Sequence, residues 1–385
     1  MYFSGDIKLI GIDDVTEPFA PIKDLLQSED VVYGNLEGTL YDQIDPYEHF
    51  AKLSWRPAGT KGAAALKEGN FSAVGLANNV IIGDQAIRST IDVLDDLGIA
   101  YTGAGLDLAH ARAPAIIERN GVRYGFLQRT SIFWHAYHRA VPKGDYLPRE
   151  GEVHGHITGP HHFYGAAGVA TIRPRTAYEP SFASSYEAGG AALIHTWPDP
   201  GDLEDFIADI KALRPKVDIL VTSNHWRVTT GHDVYGGRAG LARDFRVEIA
   251  HAAIDAGADI VASHGTHLME EIEVYKGKAI FYGLGELYFG LHPDDAVPPL
   301  PSGKHRVKLL ARAEVKDKSI SRVSCRLILP GGHHPSAREQ GAGRITLRRP
   351  SEEPEALEHL LAMSEKLGTS LAVGDDEITV VEATV

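Results

Sequence analysis

Two histidines, His264 and His267, sit just past an apolar run in the stretch "DIVASHGTHL". Ile260, Val261 and Ala262 read as the buried end of a strand, and Gly265 marks a turn after it. Four other apolar runs end the same way. "YFSGD" ends on Asp6, "VVYGNLE" delivers Asn35 and Glu37, "FSAVGLANN" delivers Asn78 and Asn79, and "DILVTSNH" ends on His225. Carboxylate, amide oxygen and imidazole together suit Mn, Fe or Zn better than the all-oxygen shells of Ca or Mg. Singly, a strand-end Asp is more often a helix cap, an Asn pair a turn, and a His beside Trp226 a packing residue. Five run ends of this kind in one chain favour a metal site.

The elements that must bring these residues together alternate along the chain. Short apolar runs are followed by amphipathic stretches such as "DQAIRSTIDVLDDLG", which has helical spacing and a stop at Gly98. Asn120-Gly121 and Lys276-Gly277 each read as the turn of a hairpin. This order points to an α/β protein with a mixed sheet, where ligands collect beyond the carboxyl ends of the strands. Residues 134–165 break the pattern into a Gly-, Pro- and His-rich loop or lid. Residues 336–385 read as a C-terminal helix and strand packing on the same domain as residues 1–335.

Composition narrows the function classes. Hydrophobic residues at 43% and charged residues at 23% describe a soluble globular protein. The net charge of −14, without a basic run, argues against binding to a phosphate backbone. Cys325 is the single cysteine, lies in an alternating apolar pattern, and reads as a small core residue. The chain opens without a basic and apolar leader and holds no bilayer-length apolar run, so a cytoplasmic protein acting on a small molecule is expected, with no membrane partner. Nothing fixes an oligomeric state.

The motifs "SGD" at 4–6, "GNLEG" at 34–38, "LANN" at 76–79, "YTGAG" at 101–105, "GVATIR" at 168–173, "SNHW" at 223–226 and the long stretch 257–287 occur in an order that resembles the CapA family. That family, associated with capsule or poly-γ-glutamate synthesis, belongs to the calcineurin-like metallophosphoesterase superfamily. The resemblance implies a layered αββα sandwich with mixed sheets and a site for two divalent ions. By position, Asp6 and His267 would hold one ion, Asn79, His225 and His264 the other, and Glu37 would bridge them. Asn35 would hydrogen-bond a ligand or bound water. Three departures stand out: Val80 replaces the histidine that follows the paired Asn, Lys8 stands where the wider superfamily has a histidine, and no membrane anchor is seen.

A metal-dependent hydrolase of a small soluble substrate follows, cleaving a phosphoester or an amide bond. Val80 carries no proton, so His135, His138, His161 and His162 in the loop are candidates for a replacement acid, each of them also readable as a solvated loop residue. Arg56 in "SWRPAG" would clamp a carboxylate or phosphate, or pair with a surface acid. Trp55, Trp134 and Trp226 line a pocket or fill the core. Two alternatives stay open: a metal-dependent lyase or redox enzyme, and a ligand-binding protein that has lost turnover.

Overall fold

Two mixed sheets face each other across one apolar core, and helices cover their outer faces. The structure is a computed structural model describing residues 1–12, 14–40, 58–81, 83–133, 139–143, 166–179, 192–227, 241–290, 303–332 and 343–382. Its first half contains β1 (Tyr2–Lys8), β2 (Val32–Leu36), α1 (Gly59–Glu68), β3 (Ala73–Gly75), α2 (Asp84–Leu97), β4 (Ala100–Thr102), β5 (Ala115–Arg119) and β6 (Val122–Thr130). The second half contains α3 (Pro200–Leu213), β7 (Ile219–His225), α4 (Phe245–Ala256), β8 (Ile260–Ala262), β9 (Ile272–Tyr275) and β10 (Lys278–Phe281). It ends with β11 (Glu286–Phe289), β12 (Lys308–Lys316), β13 (Ser319–Leu329), α5 (Pro354–Glu365) and β14 (Ile378–Glu382).

The larger sheet runs β14-β13-β12-β1-β2-β3-β4, and β11 also pairs with β1. Around the site its strands are parallel, since β1 pairs in parallel with both β11 and β2, and β2 with β3. The smaller sheet runs β9-β10-β8-β7-β6-β5, with four parallel strands between two antiparallel edges. Parallel strands buried on both faces read as unbroken apolar runs, which is why "ILV" in β7 shows no alternation.

Packing follows from these faces. Phe3 and Tyr33 of one sheet meet Phe126, Val221 and Ile260 of the other in the central core. Leu66 of α1 and Leu94 of α2 cover Ile7, Leu36 and Val74 outside the larger sheet. Phe206 and Ile210 of α3, with Ile249 and Ala253 of α4, cover Leu127, Leu220 and Val261 outside the smaller one. The layers are therefore α, β, β, α, the sandwich that the resemblance implies.

Local signals act where the residues place them. Gly98 takes φ 66 and ends α2, while Asn120 at φ 50 and Gly121 at φ 75 turn the β5–β6 hairpin. Lys276 and Gly277, with the same two angles, turn β9 into β10. Cys325 is buried in the central core. Trp226 is buried too, donating its Nε1–H to the Tyr282 carbonyl at 2.8 Å and stacking on that ring, so of its two readings core packing holds. At the C-terminus β14 pairs with β13, and α5 buries Ala356 and Leu360 in the central core. Among the described residues no helix is long and apolar enough to cross a membrane.

Candidate metal centre

Three polar residues lie side by side where the larger sheet would otherwise be apolar. Asp6 of β1 is in register with Glu286 of β11 on one side and Asn35 of β2 on the other. Asn35 donates its amide to Asp6 Oδ1 at 2.9 Å, and Gly265 donates its backbone N–H to Asp6 Oδ2 at 3.2 Å. The histidines come from the other sheet. His225 ends β7, and His264, just past β8, bridges to it through the backbone. His267 follows in the same turn at φ 58, a conformation that non-glycine residues rarely take.

Two donor sets result, each with its ligand atoms within 4.8 Å of one another: Asp6 with His225 and His264, and Asp6 with Glu37 and His267. Asp6 is common to both, and Glu37 Oε1 lies 3.9 Å from both His225 Nε2 and His267 Nε2. Asp6 lies at the centre of the three parallel strands, whereas Glu37 lies one residue beyond the end of β2.

Among the described residues, these candidate ligand atoms are buried without a hydrogen-bond partner: Glu37 Oε2, His225 Nε2, His264 Nδ1 and His267 Nδ1. His264 Nδ1 stands 2.9 Å from Asp6 Oδ1, and His267 Nδ1 stands 3.3 Å from Asp6 Oδ2, yet neither pair is aligned as a hydrogen bond. Leaving such atoms bare in a core costs free energy, and a cation between them removes the cost. The other nitrogen of His264 is held, with Ser223 Oγ at 2.9 Å and Gln128 Nε2 at 3.2 Å. The donor set fits a divalent ion.

Electrostatics agree with that fit. Burial raises the Asp6 carboxyl, but His264, His267 and His225 outweigh it and keep Asp6 below its usual range. Burial pushes Glu37 up to about 7, against the pull of His267. Burial also drives His225 well below the ordinary imidazole range, which keeps it neutral and able to ligate. Burial disfavours a charged His267, but Glu37, Glu286 and Asp6 prevail and lift it to about 9.

The profile of the bacterial capsule synthesis protein family PGA_cap matches residues 5–291, a span that includes every residue just described. The chain belongs to that family. The uncharacterized protein y4sH of Sinorhizobium fredii is 25% identical over 314 residues, covering 75% of this chain and 64% of that one. PGA biosynthesis protein CapA of Bacillus subtilis is 26% identical over 298 residues, covering 74% and 62%. The chain thus spans less than two thirds of these relatives' own length. Among solved structures, a proposed 5′-nucleotidase of Staphylococcus aureus, solved with α-ketoglutarate, is 10% identical with a TM-score of 0.39, covering 86% of this chain and 54% of that one.

Within this PGA_cap chain the remaining candidates divide. Asn78 is wired in, donating to the Leu36 carbonyl at 2.8 Å and to Asn35 Oδ1 at 3.3 Å, while Asn79 follows it half-buried in the same bend. Val80 is half-buried and donates its backbone N–H to Asn78 Oδ1 at 3.1 Å. Arg56, His135, His138, His161, His162, Trp55 and Trp134 lie outside the described residues.

Two site residues escape a reading of run ends. Glu286 places Oε1 3.0 Å from His267 Nδ1, and it begins β11 rather than ending a strand. Its signal is the register opposite Asp6, which only the sheet supplies. Gln128 reaches in from β6, accepting the Ala77 N–H at 2.6 Å and donating to Asn35 Oδ1 at 2.9 Å. A polar residue inside the run "GFLQ" was the available clue.

Proposed function

We propose that this protein is a metal-dependent hydrolase of a small soluble substrate, with a phosphoester or an amide as the bond cleaved. The observation that carries this reading is the group of buried ligand atoms around Asp6, on Glu37, His225, His264 and His267, that have no hydrogen-bond partner among the described residues. The set with two histidines favours Zn or Fe, and the set with Asp6, Glu37 and one histidine favours Mn. When bound, paired divalent ions supply Lewis-acid charge stabilisation and activation of the nucleophile.

The chain's own residues do the rest. Asp6 holds both donor sets in one frame, with its oxygens fixed by Asn35 and Gly265. Ser223 Oγ lies 2.9 Å from His264 Nε2, and Thr130 Oγ1 lies 3.3 Å from His225 Nδ1, so each ring is steered from behind. Val80 has no proton to give a leaving group, which confines efficient phosphoester cleavage to groups that depart unprotonated. An amide would need a proton from elsewhere in the chain.

Elemental analysis of protein purified without chelator, followed by a panel of aryl phosphates, alkyl phosphates and γ-glutamyl amides, tests the reading. Bound transition metal with metal-dependent turnover of at least one class is expected. Metal-free protein that neither takes up Mn²⁺ or Zn²⁺ nor turns over any substrate would remove it.

A further inference from the structure

The turn His264–His267 is strained and buried, so something must hold it. Gly265 takes φ 101 and His267 φ 58 within four residues. Between the two histidines lies Thr266, fully buried, whose Oγ1 donates to Glu270 Oε2 at 3.2 Å. Glu270 is itself buried, and its Oε1 accepts from Arg246 Nη1 at 2.8 Å. Arg246 belongs to α4, has no exposed surface, and is fixed at its other edge by Asp244, whose Oδ2 accepts from Nη2 at 2.9 Å. Burial opposes the Arg246 charge, and Glu270 and Asp244 outweigh it.

A buried ion pair of this kind adds little net stability over apolar residues of the same volume, and its better-attested service is to specify one geometry. Glu270 also fills the space beside Gly283, where a Cβ would lie 2.7 Å from Glu270 Oε2. Its backbone N–H bonds the Gly283 carbonyl at 3.0 Å, which anchors the chain from which the carboxylate reaches Thr266. The link from helix to turn is continuous.

We infer that Arg246, Glu270 and Thr266 form a positioning relay that fixes the His264–His267 turn and so sets the affinity of the metal centre. The relay rests on the metal-site reading above. None of the three touches the reacting groups. Arg246 acts through Glu270, and Glu270 acts through the hydroxyl between the two ligating rings. Outer partners of metal ligands commonly change metal affinity by about 10–100-fold.

The test is Mn²⁺ titration by calorimetry of the chelated, refilled full chain, with thermal unfolding of the chelated form alongside. Thr266→Val keeps the side-chain shape and removes the hydroxyl; it is expected to weaken Mn²⁺ binding about 10–100-fold. Thr266→Ser restores the hydroxyl and is expected to recover most of the affinity. A merely structural threonine would lower the unfolding temperature and leave the affinity of the folded protein unchanged. If Thr266→Val fails to fold, Thr266→Ala, which also removes the hydroxyl, is read the same way. Parental affinity in the folded variant overturns the relay while the metal site stands. Failure of the parent chain to bind Mn²⁺ overturns the metal-site reading, and the relay with it.

Discussion

Gly75 and Gln128 interlock across the two sheets: a Cβ on Gly75 would lie 2.4 Å from the Gln128 side-chain amide carbon. The missing side chain is what lets Gln128 reach Ala77 and Asn35 from the opposite layer. Gly75→Ala should therefore displace Gln128 and strand the buried Ala77 N–H, costing about 1–3 kcal/mol, and leave Asn35 Oδ1 with only its longer bond from Asn78. Denaturant unfolding of chelated protein reads that loss. Mn²⁺ affinity should fall with it, because Asn35 loses the nearer of the two partners that aim its other end at Asp6. Unchanged values of both would mean that Gln128 plays no part in the site.

Because Asp6 belongs to both donor sets, its removal differs in kind from that of any single histidine. Asp6→Asn is expected to abolish binding of both ions, whereas His225→Ala should spare the set containing Glu37 and His267. Metal-to-protein ratios by elemental analysis distinguish the two. Equal residual metal in both variants would return the bridging role to another residue.

Metal uptake must displace protons, and the direction follows from the two raised groups. His267, lifted to about 9, and Glu37, lifted to about 7, both bind protons more tightly in the metal-free fold than their ordinary values of 6.5 and 4.5 imply. For each, stability is fully present below the ordinary value and is lost as pH rises through the folded value. Below about pH 6.5 the lowered His225 works the opposite way, so the chelated protein should lose stability between about pH 6.5 and 9, while metal affinity rises over that window. At neutral pH, binding should release between about one and two protons. Calorimetry in buffers of different ionisation enthalpy counts them, and a pH-independent affinity with no proton release would contradict the assignment of His267 and Glu37.

Much of this site was legible because parallel strands concentrate their ligands at one end. Asp6, Asn35, Glu37, His225 and His264 all sit at or just past the ends of apolar runs, and a run end is visible in one dimension. Glu286 and Gln128 were not legible, because what qualifies them is a partner in a neighbouring strand or in the other sheet. Which carboxylate lies at the centre depends on which strand lies between its neighbours, and strand order is a property of the sheet. The layers themselves were easier, since helical spacing, Gly98 and the two glycine turns act locally.

Val80 offers the sharpest chemical test. It is half-buried beside Asn78 and Asn79, and its side chain can neither give nor take a proton. A leaving group of low basicity needs no such help, whereas an alkoxide does, and general acid catalysis is worth about 10²–10⁴-fold. The parent protein should therefore cleave nitrophenyl phosphates far faster than alkyl phosphates. Val80→His should narrow that gap by raising alkyl phosphate turnover, with little change for the nitrophenyl ester and a new dependence on a group titrating near pH 6–7. Ratios of kcat/KM for the two substrates, measured across pH in both proteins, decide the matter. Parent protein that already hydrolyses alkyl phosphates as fast as nitrophenyl esters would show that the proton comes from elsewhere.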